Sequence, residues 1–514
     1  MKKLIFTFVF LLLAGSSQAR IIYVDNDRPA DFNNIQAAID DSNDGDTIIV
    51  ADGTYTGDGN RDISFFGKAI ILQSENGPEK CIIDCNATQD DQHYGFGFGW
   101  GEDSNSVLEG FTIINGWVMG SCGMFLCEYG GILCANSGPT IDNCIIRSNV
   151  GYAVYCLNSD VIIKNCTISE NKWSLNSSGV YCTNSNLKIS NCIVSGNKGR
   201  GISCFSSSVM VSKCTISDNN EEAGGDGGGI FCGSSHATIS YCTIRGNKGN
   251  FGGIGFDRTS GTISSCVISR NSGGGITCYG NSPVKIDSCV IKGNTGFFGG
   301  GGIGCSDCCS ATIINCTIVN NHVRHSGGGI YCYWSYAKIS NSILWANSTE
   351  SEGPQIALRT MGWPSWLTIS FCDVQGGETA AYVEPECTLN WGEGNIDADP
   401  CFAEANNGDY HLKSQAGRWD PNGESWVQDN VTSPGIDAGD PMSPIGPEPF
   451  PNGGRINMGA YGGTVEASKS YFGKSLCKTI LAGDVNGDCR INYLDFRLMA
   501  LHWLEDKTPV PPQP

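Results

Sequence analysis

Residues 484–495 read DVNGDCRINYLD, and oxygen-bearing side chains fall at loop positions 1, 3, 5, 9 and 12. These are Asp484, Asn486, Asp488, Asn492 and Asp495, with the carbonyl of Arg490 at position 7. Such spacing lets one short loop gather oxygens around calcium. Cys489 stands at the sharp turn that usually takes glycine, and Asp495 at the place of a bidentate Glu. FRLMALHWL follows as a short amphipathic helix. The plain alternative is a solvated acidic turn before a helix.

A second set suits carbohydrate. The middle residue of a recurring I-x-C strand points outward and reads, in turn, Leu133, Tyr155, Tyr181, Ser203, Phe231, Gly255, Thr277, Gly304 and Tyr331. Tyr155, Tyr181, Phe231 and Tyr331 would present rigid rings to sugar faces. The plain alternative is β-propensity with cross-rung packing. A third set lies on the variable turns: Glu221, Glu222 and Asp226 on one, His322, Arg324 and His325 on another. Paired carboxylates cleave glycosides, and a basic group can take a proton from a uronic acid. The two turns are four rungs apart, roughly 19 Å at the strand spacing, too far for one acid–base pair. They read as polar loop decoration.

The elements that position these residues repeat. Cysteines at 144, 166, 192, 214, 242, 266, 289 and 316, continued by Ser342, recur every 22–28 residues. Ile or Val precedes each by three, an aliphatic residue follows by two, and Asn follows by five, from Asn149 to Asn347. A second column, Cys134 to Cys332 with Phe256 as its one exception, lies ten or eleven residues earlier. Each unit therefore holds three short strands parted by Gly, Ser and Asn. Units that cannot bury their own isoleucines must stack, which specifies an all-β parallel β-helix. The Asn column is expected in left-handed turns, with amides bonded from rung to rung. The glycines before the I-x-C strand are expected to permit a turn. The cysteines read as small buried hydrophobes, with disulfide staples as the alternative. Off the ladder, Cys81–Cys85, Cys122–Cys127, Cys387–Cys401 and Cys477–Cys489 are the candidate bridges.

The ends differ. Lys2 and Lys3, an apolar run and SSQA read as a signal peptide over 1–19, implying a secreted or cell-surface protein without a membrane span. Residues 20–130 read as an N-terminal helical cap and first coils, 131–347 as the regular coils, and 348–469 as irregular last coils and a C-terminal cap. The loop-helix occupies 470–508, and 509–514 is a disordered tail. A formal net charge of −20 argues against nucleic acid and anionic membrane as partners and favours neutral glycans, cations or proteins.

IQAAIDDSNDGDTIIVADGTYT, the NCTISENK-type units and the SPGIDAGDP…INMGAYGG tail resemble secreted bacterial right-handed β-helix proteins of the pectate-lyase-like superfamily, over roughly residues 20–465. That resemblance implies a protein acting on or binding extracellular polysaccharide: a polysaccharide lyase, a glycoside hydrolase, or a non-catalytic adhesin or structural solenoid. The G-H-G and R-I-K strings of polygalacturonase-type enzymes and the acidic cluster of pectate lyases are absent, which leaves catalysis open. GDVNGDCRINYLDFRLMALHWL resembles one repeat of a type I dockerin, which implies calcium and a cohesin-like partner. Dockerins normally carry two such repeats.

Overall fold

A computed structural model describes residues 19–471 apart from 123–124, 173–177, 221–227, 298 and 361, together with 493, 496 and 497. The proposed calcium ligands Asp484, Asn486, Asp488, Arg490, Asn492 and Asp495 lie outside the described residues, as does nearly all of the 1–19 segment.

β-Branched residues at period two form three strands per rung, and each strand pairs in parallel with its counterpart one rung on. The result is three long sheets of fourteen, fifteen and thirteen strands, the faces of a parallel β-helix. One rung shows the plan. Tyr152–Leu157 lies on the first face, Asp160–Lys164 on the second and Thr167–Ser169 on the third. Ile141, Ile163, Ile189 and Val211 stand in register, and all are buried. Phe256, which replaces a cysteine, fits because its neighbour on the second face is Gly261, where a Cβ would meet the ring at 2.7 Å.

Each rung turns three corners, and each corner uses one left-handed residue followed by one ladder residue. Asn158, Asn165 and Glu170 take φ of 49°, 55° and 55°. The following Ser159, Cys166 and Asn171 each donate a backbone N–H to the side chain one rung on: Ser185 Oγ at 3.0 Å, Cys192 Sγ at 3.4 Å and Asn197 Oδ1 at 3.2 Å. Those side chains donate in turn. Ser185 reaches the Thr183 carbonyl at 2.8 Å, Cys192 reaches that of Ser190 at 3.2 Å, and Asn197 reaches that of Ile168 at 3.0 Å. A buried corner amide needs a partner, and the ladders supply it.

This corrects two expectations. The left-handed residue is the one before the Asn column, not the Asn itself. The column cysteines are hydrogen-bonding groups as well as filler, since Ser342 takes the same role in the same column, accepting from Cys316 N–H at 3.0 Å. Every described cysteine is a free thiol, so Cys81–Cys85 and Cys387–Cys401 are not bridged. Burial pushes the Cys289 thiol well above its ordinary range, keeping the proton it donates to the Asp287 carbonyl at 3.2 Å. Cys477 and Cys489 fall outside the described residues, as do the side chains of Cys122 and Cys127.

The glycines before I-x-C serve both ends: Gly252, Gly300 and Gly327 take the expected left-handed turn, with φ of 57°, 72° and 73°, while the glycine next to the Ile answers to space. A Cβ on Gly275 would come within 2.6 Å of the Gly302 carbonyl and 2.9 Å of the Asn294 amide. The rungs close against one another there, and no side chain fits.

Ile35–Asp41 forms the expected helix near the N-terminus, with Asn34 capping Ala37 N–H and Ile35, Ala38 and Ile39 buried. The C-terminal region departs from expectation. Coils continue in register through Trp366–Ser370 to Thr388–Trp391. Residues from about 400 to 470 then lie along the third face instead of over the end. Tyr410 and Ala460 pack with Val290 and Val319, while Leu412, Ile436 and Met458 pack with Ile343. Apolar residues point outward on that face, and the segment covers them. Among the described residues no helix is long and apolar enough to cross a membrane.

Candidate functional site

Alternation sends two columns of side chains out from the first face. One holds Tyr155, Tyr181, Ser203, Phe231, Gly255, Thr277, Gly304 and Tyr331, each paired with the next. The other, one residue beyond the cysteine, holds Phe205, Tyr279 and Tyr333 among smaller residues. Together they make a ladder of rings. Centroids run Tyr129–Tyr155 at 6.1 Å, Tyr155–Tyr181 at 5.5 Å, Tyr181–Phe205 at 5.7 Å and Phe205–Phe231 at 5.5 Å. Phe251 then stands between Phe231 at 5.3 Å and Tyr279 at 5.2 Å. It arrives from a turn and occupies the space above Gly255, whose Cβ would lie 2.6 Å from its own.

This ladder corrects the sequence reading of the stripe. Tyr155 and Phe231 are each 4% exposed, and Tyr181 is half-buried between Tyr152 and Phe205. Rings one rung apart, about 4.8 Å, stack on each other and leave no face for a ligand. Of the four stacking candidates, Tyr331 lines an open site.

That site begins where the ladder stops. Thr277 and Gly304 follow Gly255 in the outward column, and among the described residues the strand of Gly304 and Ser306 carries no ring in either column. The gap is a cleft of about 640 Å³. Phe251 and Tyr279 bound it on one side, Tyr331 and Phe297 on the other. Thr277 and Gly304 lie between them, the Gly299–Gly300 backbone runs over Gly304 and against the Tyr331 ring, and Ser272, Ser306 and Asp307 also line the cleft. Phe297 is 50% exposed. The Arg324 guanidinium lies 5.5 Å from its ring centroid, and His325 meets it edge-on at 5.8 Å. His322 and Arg324 both approach Glu350, at 3.9 and 3.8 Å. The 322–325 turn therefore braces an aromatic wall. Glu221, Glu222 and Asp226 lie outside the described residues. Asp307 is the one carboxylate among the lining residues, and no Lys, Arg or His joins it. Burial pushes the Tyr331 phenol up to about 12, so it stays neutral.

Phe251, Tyr279 and Phe297 were missed by the sequence reading. Tyr279 was legible as the next outward position two residues on, but Phe251 and Phe297 sit on turns without a period. A second concavity, about 770 Å³, lies on the second face among Asn136, Asn158, Asp160, Asn184, Asn186, Lys188 and Met210. It has no ring, and its amides are engaged: Asn186 donates to Asp160 at 2.6 Å and Asn158 to Asn136 at 3.3 Å. Among the described residues no cluster of three or more His, Cys, Asp or Glu is arranged to hold a metal.

No curated protein sequence matches the chain. The structure is similar to that of a pectate lyase, at 16% identity over 87% of this chain and 97% of the other, with a TM-score of 0.38. It is similar to an alpha-1,3-glucanase catalytic domain in complex with nigerose, at 12% identity over 74% and 70%, TM-score 0.37. It is also similar to a surface adhesin of Streptococcus pneumoniae, at 13% identity over 66% and 87%, TM-score 0.28. Residues 378–439 match a family described as disaggregatase related. Overlapping matches to the right handed beta helix region family span 46–212, 176–299 and 206–373, more than half of the chain, and the protein belongs to that family.

Proposed function

We propose that this protein binds neutral polysaccharide in the cleft between Tyr279 and Tyr331, outside the cell. The observation that carries this reading is the aromatic walling of a cleft whose bounding rings, Tyr279 and Tyr331, stand two rungs or roughly 10 Å apart along the helix axis. A sugar ring would enter from the open side of the cleft, since the Gly299 backbone lies against the Tyr331 ring and Gly300 over Gly304. The surrounding hydroxyls and Asp307 supply acceptors for sugar hydroxyls. Binding without cleavage is favoured because glycoside hydrolysis needs two carboxylates, and Asp307 lines the cleft alone.

Retention of the protein in gels containing neutral or uronate glycans tests the reading. The expected result is retarded migration with a neutral glycan, abolished by Tyr279→Ala with Tyr331→Ala, and no new reducing or unsaturated ends. New ends would replace binding with catalysis. Failure of every glycan to retain the protein would refute the assignment.

Export through the 1–19 segment and calcium binding at 484–495 are part of the same proposal, as is a cohesin-like partner for the C-terminal loop-helix. The ligand spacing in the sequence supports calcium. Titration of the full chain by calorimetry should give one binding event lost in Asp484→Ala. Equal heats for the two proteins would remove calcium from the account.

A further inference from the structure

Aromatic residues do not stop at the cleft wall. Tyr331 stacks on Tyr333 at 6.2 Å and 9°. Trp334 follows at the corner between the first and second faces, with φ of 48°. The equivalent corners on nearby rungs hold Asn281 and Arg258, and a bulky ring is an unfavoured occupant of the left-handed region. Trp334 stacks with Trp363 at 6.1 Å and 19°, and around the corner Tyr336 stacks with Trp366 at 5.0 Å and 13°.

These pairs differ from the covered ladder. Trp363, Tyr336 and Trp366 are 61%, 49% and 36% exposed. The neighbours in register beyond the second pair are small, Ser310 before Tyr336 and Thr388 after Trp366. The stack is two rings deep and ends on both sides without another ring to cover it.

We propose that these rings extend the cleft into one binding track for a chain of several sugar units, running around the corner from Tyr331 through Tyr333 to Trp363 and Trp366. The inference rests on the cleft reading above. Continuity decides the occupant: Tyr331 lines the cleft and stacks on Tyr333, and Trp334 follows Tyr333 in the chain, so the exposed rings beyond suit a linear chain already held in the cleft. Oligosaccharides longer than the cleft should bind more tightly than short ones, and the gain should reside in the tryptophans.

Calorimetry with cello-, xylo- and malto-disaccharides and the matching hexasaccharides tests this on the full chain. Wild type should bind one hexasaccharide about tenfold more tightly than its disaccharide, the increment expected of two exposed rings. Trp363→Ala with Trp366→Ala should lose that gain and keep disaccharide affinity within about twofold. Trp363→Ala alone, in the more exposed ring, should lose part of it. Unchanged hexasaccharide affinity in the double variant would overturn the track while leaving the cleft intact. Equal affinity of wild type for both lengths would do the same. Reversible self-association of wild type that disappears in the double variant would also overturn it, by making a second copy the occupant. Absence of any binding by wild type would instead remove the cleft reading, and the track with it.

Discussion

The first face holds two halves built on one backbone plan. From Tyr129 to Tyr279 rings follow one another and cover each other; from Thr277 to Tyr331 the column empties and then resumes. Tyr155 and Tyr331 occupy equivalent positions in their strands, yet one is packing and the other walls a cleft. The lesson is that an outward aromatic on a β-helix is defined by its neighbours one rung away. Rings beside rings stabilise the solenoid; beside a glycine the turn decides, since Phe251 covers Phe231 over Gly255 while Tyr331 next to Gly304 still lines a cleft.

Removing the walls should break the contrast most strongly. Tyr279→Ala with Tyr331→Ala should weaken glycan binding by about 30-fold or more, at 1 kcal/mol or more per ring. Filling the gap should come next. Thr277→Tyr carries the ladder across the cleft, so binding should fall about tenfold while the melting temperature holds or rises. The mirror experiment is Tyr155→Ala with Tyr181→Ala. Glycan affinity should stay within about twofold, but each truncated ring should cost about 1–3 kcal/mol of stability, read as a lower urea midpoint. Loss of glycan binding in that variant would merge the two halves again.

A smaller effect lies beside the third face. Asp373 is buried, accepts Ala398 N–H at 3.2 Å through one oxygen and leaves the other without a partner. Burial pushes its carboxyl up to about 7 from an ordinary 3.8, and Glu448 likewise to about 7 from 4.5. Both folded values lie above the unfolded ones, so the contribution to stability is full below pH 4 and lost as pH rises through about 7. The melting temperature should decline by a few degrees across that window, and Asp373→Asn should flatten part of the decline.

Much of this was legible in residue spacing. The Ile, Cys and Asn columns set the inward face of each strand in the regular coils, because one face per strand must be buried and a slip of one residue would expose it. The end of the coils near Trp391 was not legible, since rungs there replace Cys and Asn with Leu358, Asn395 and Gln355, which fill the same space or accept the same bonds. Nor was the third-face packing of 400–470, which depends on outward Val290, Val319 and Ile343 that read as ordinary strand residues. The cleft was half visible. Tyr331, Thr277 and Gly304 stood in the outward column, but Phe297 and Phe251 come from turns whose path no periodicity gives.

Crystals of the protein grown with the tightest-binding hexasaccharide give the most direct test of the central claim. A sugar ring should lie in the cleft bounded by Phe251, Tyr279, Phe297 and Tyr331, with the covered rings at Tyr155 and Phe231 untouched. Sugar seated instead on the second-face groove at Asn158 and Asn184, or along the ladder from Tyr155 to Phe231, would contradict it.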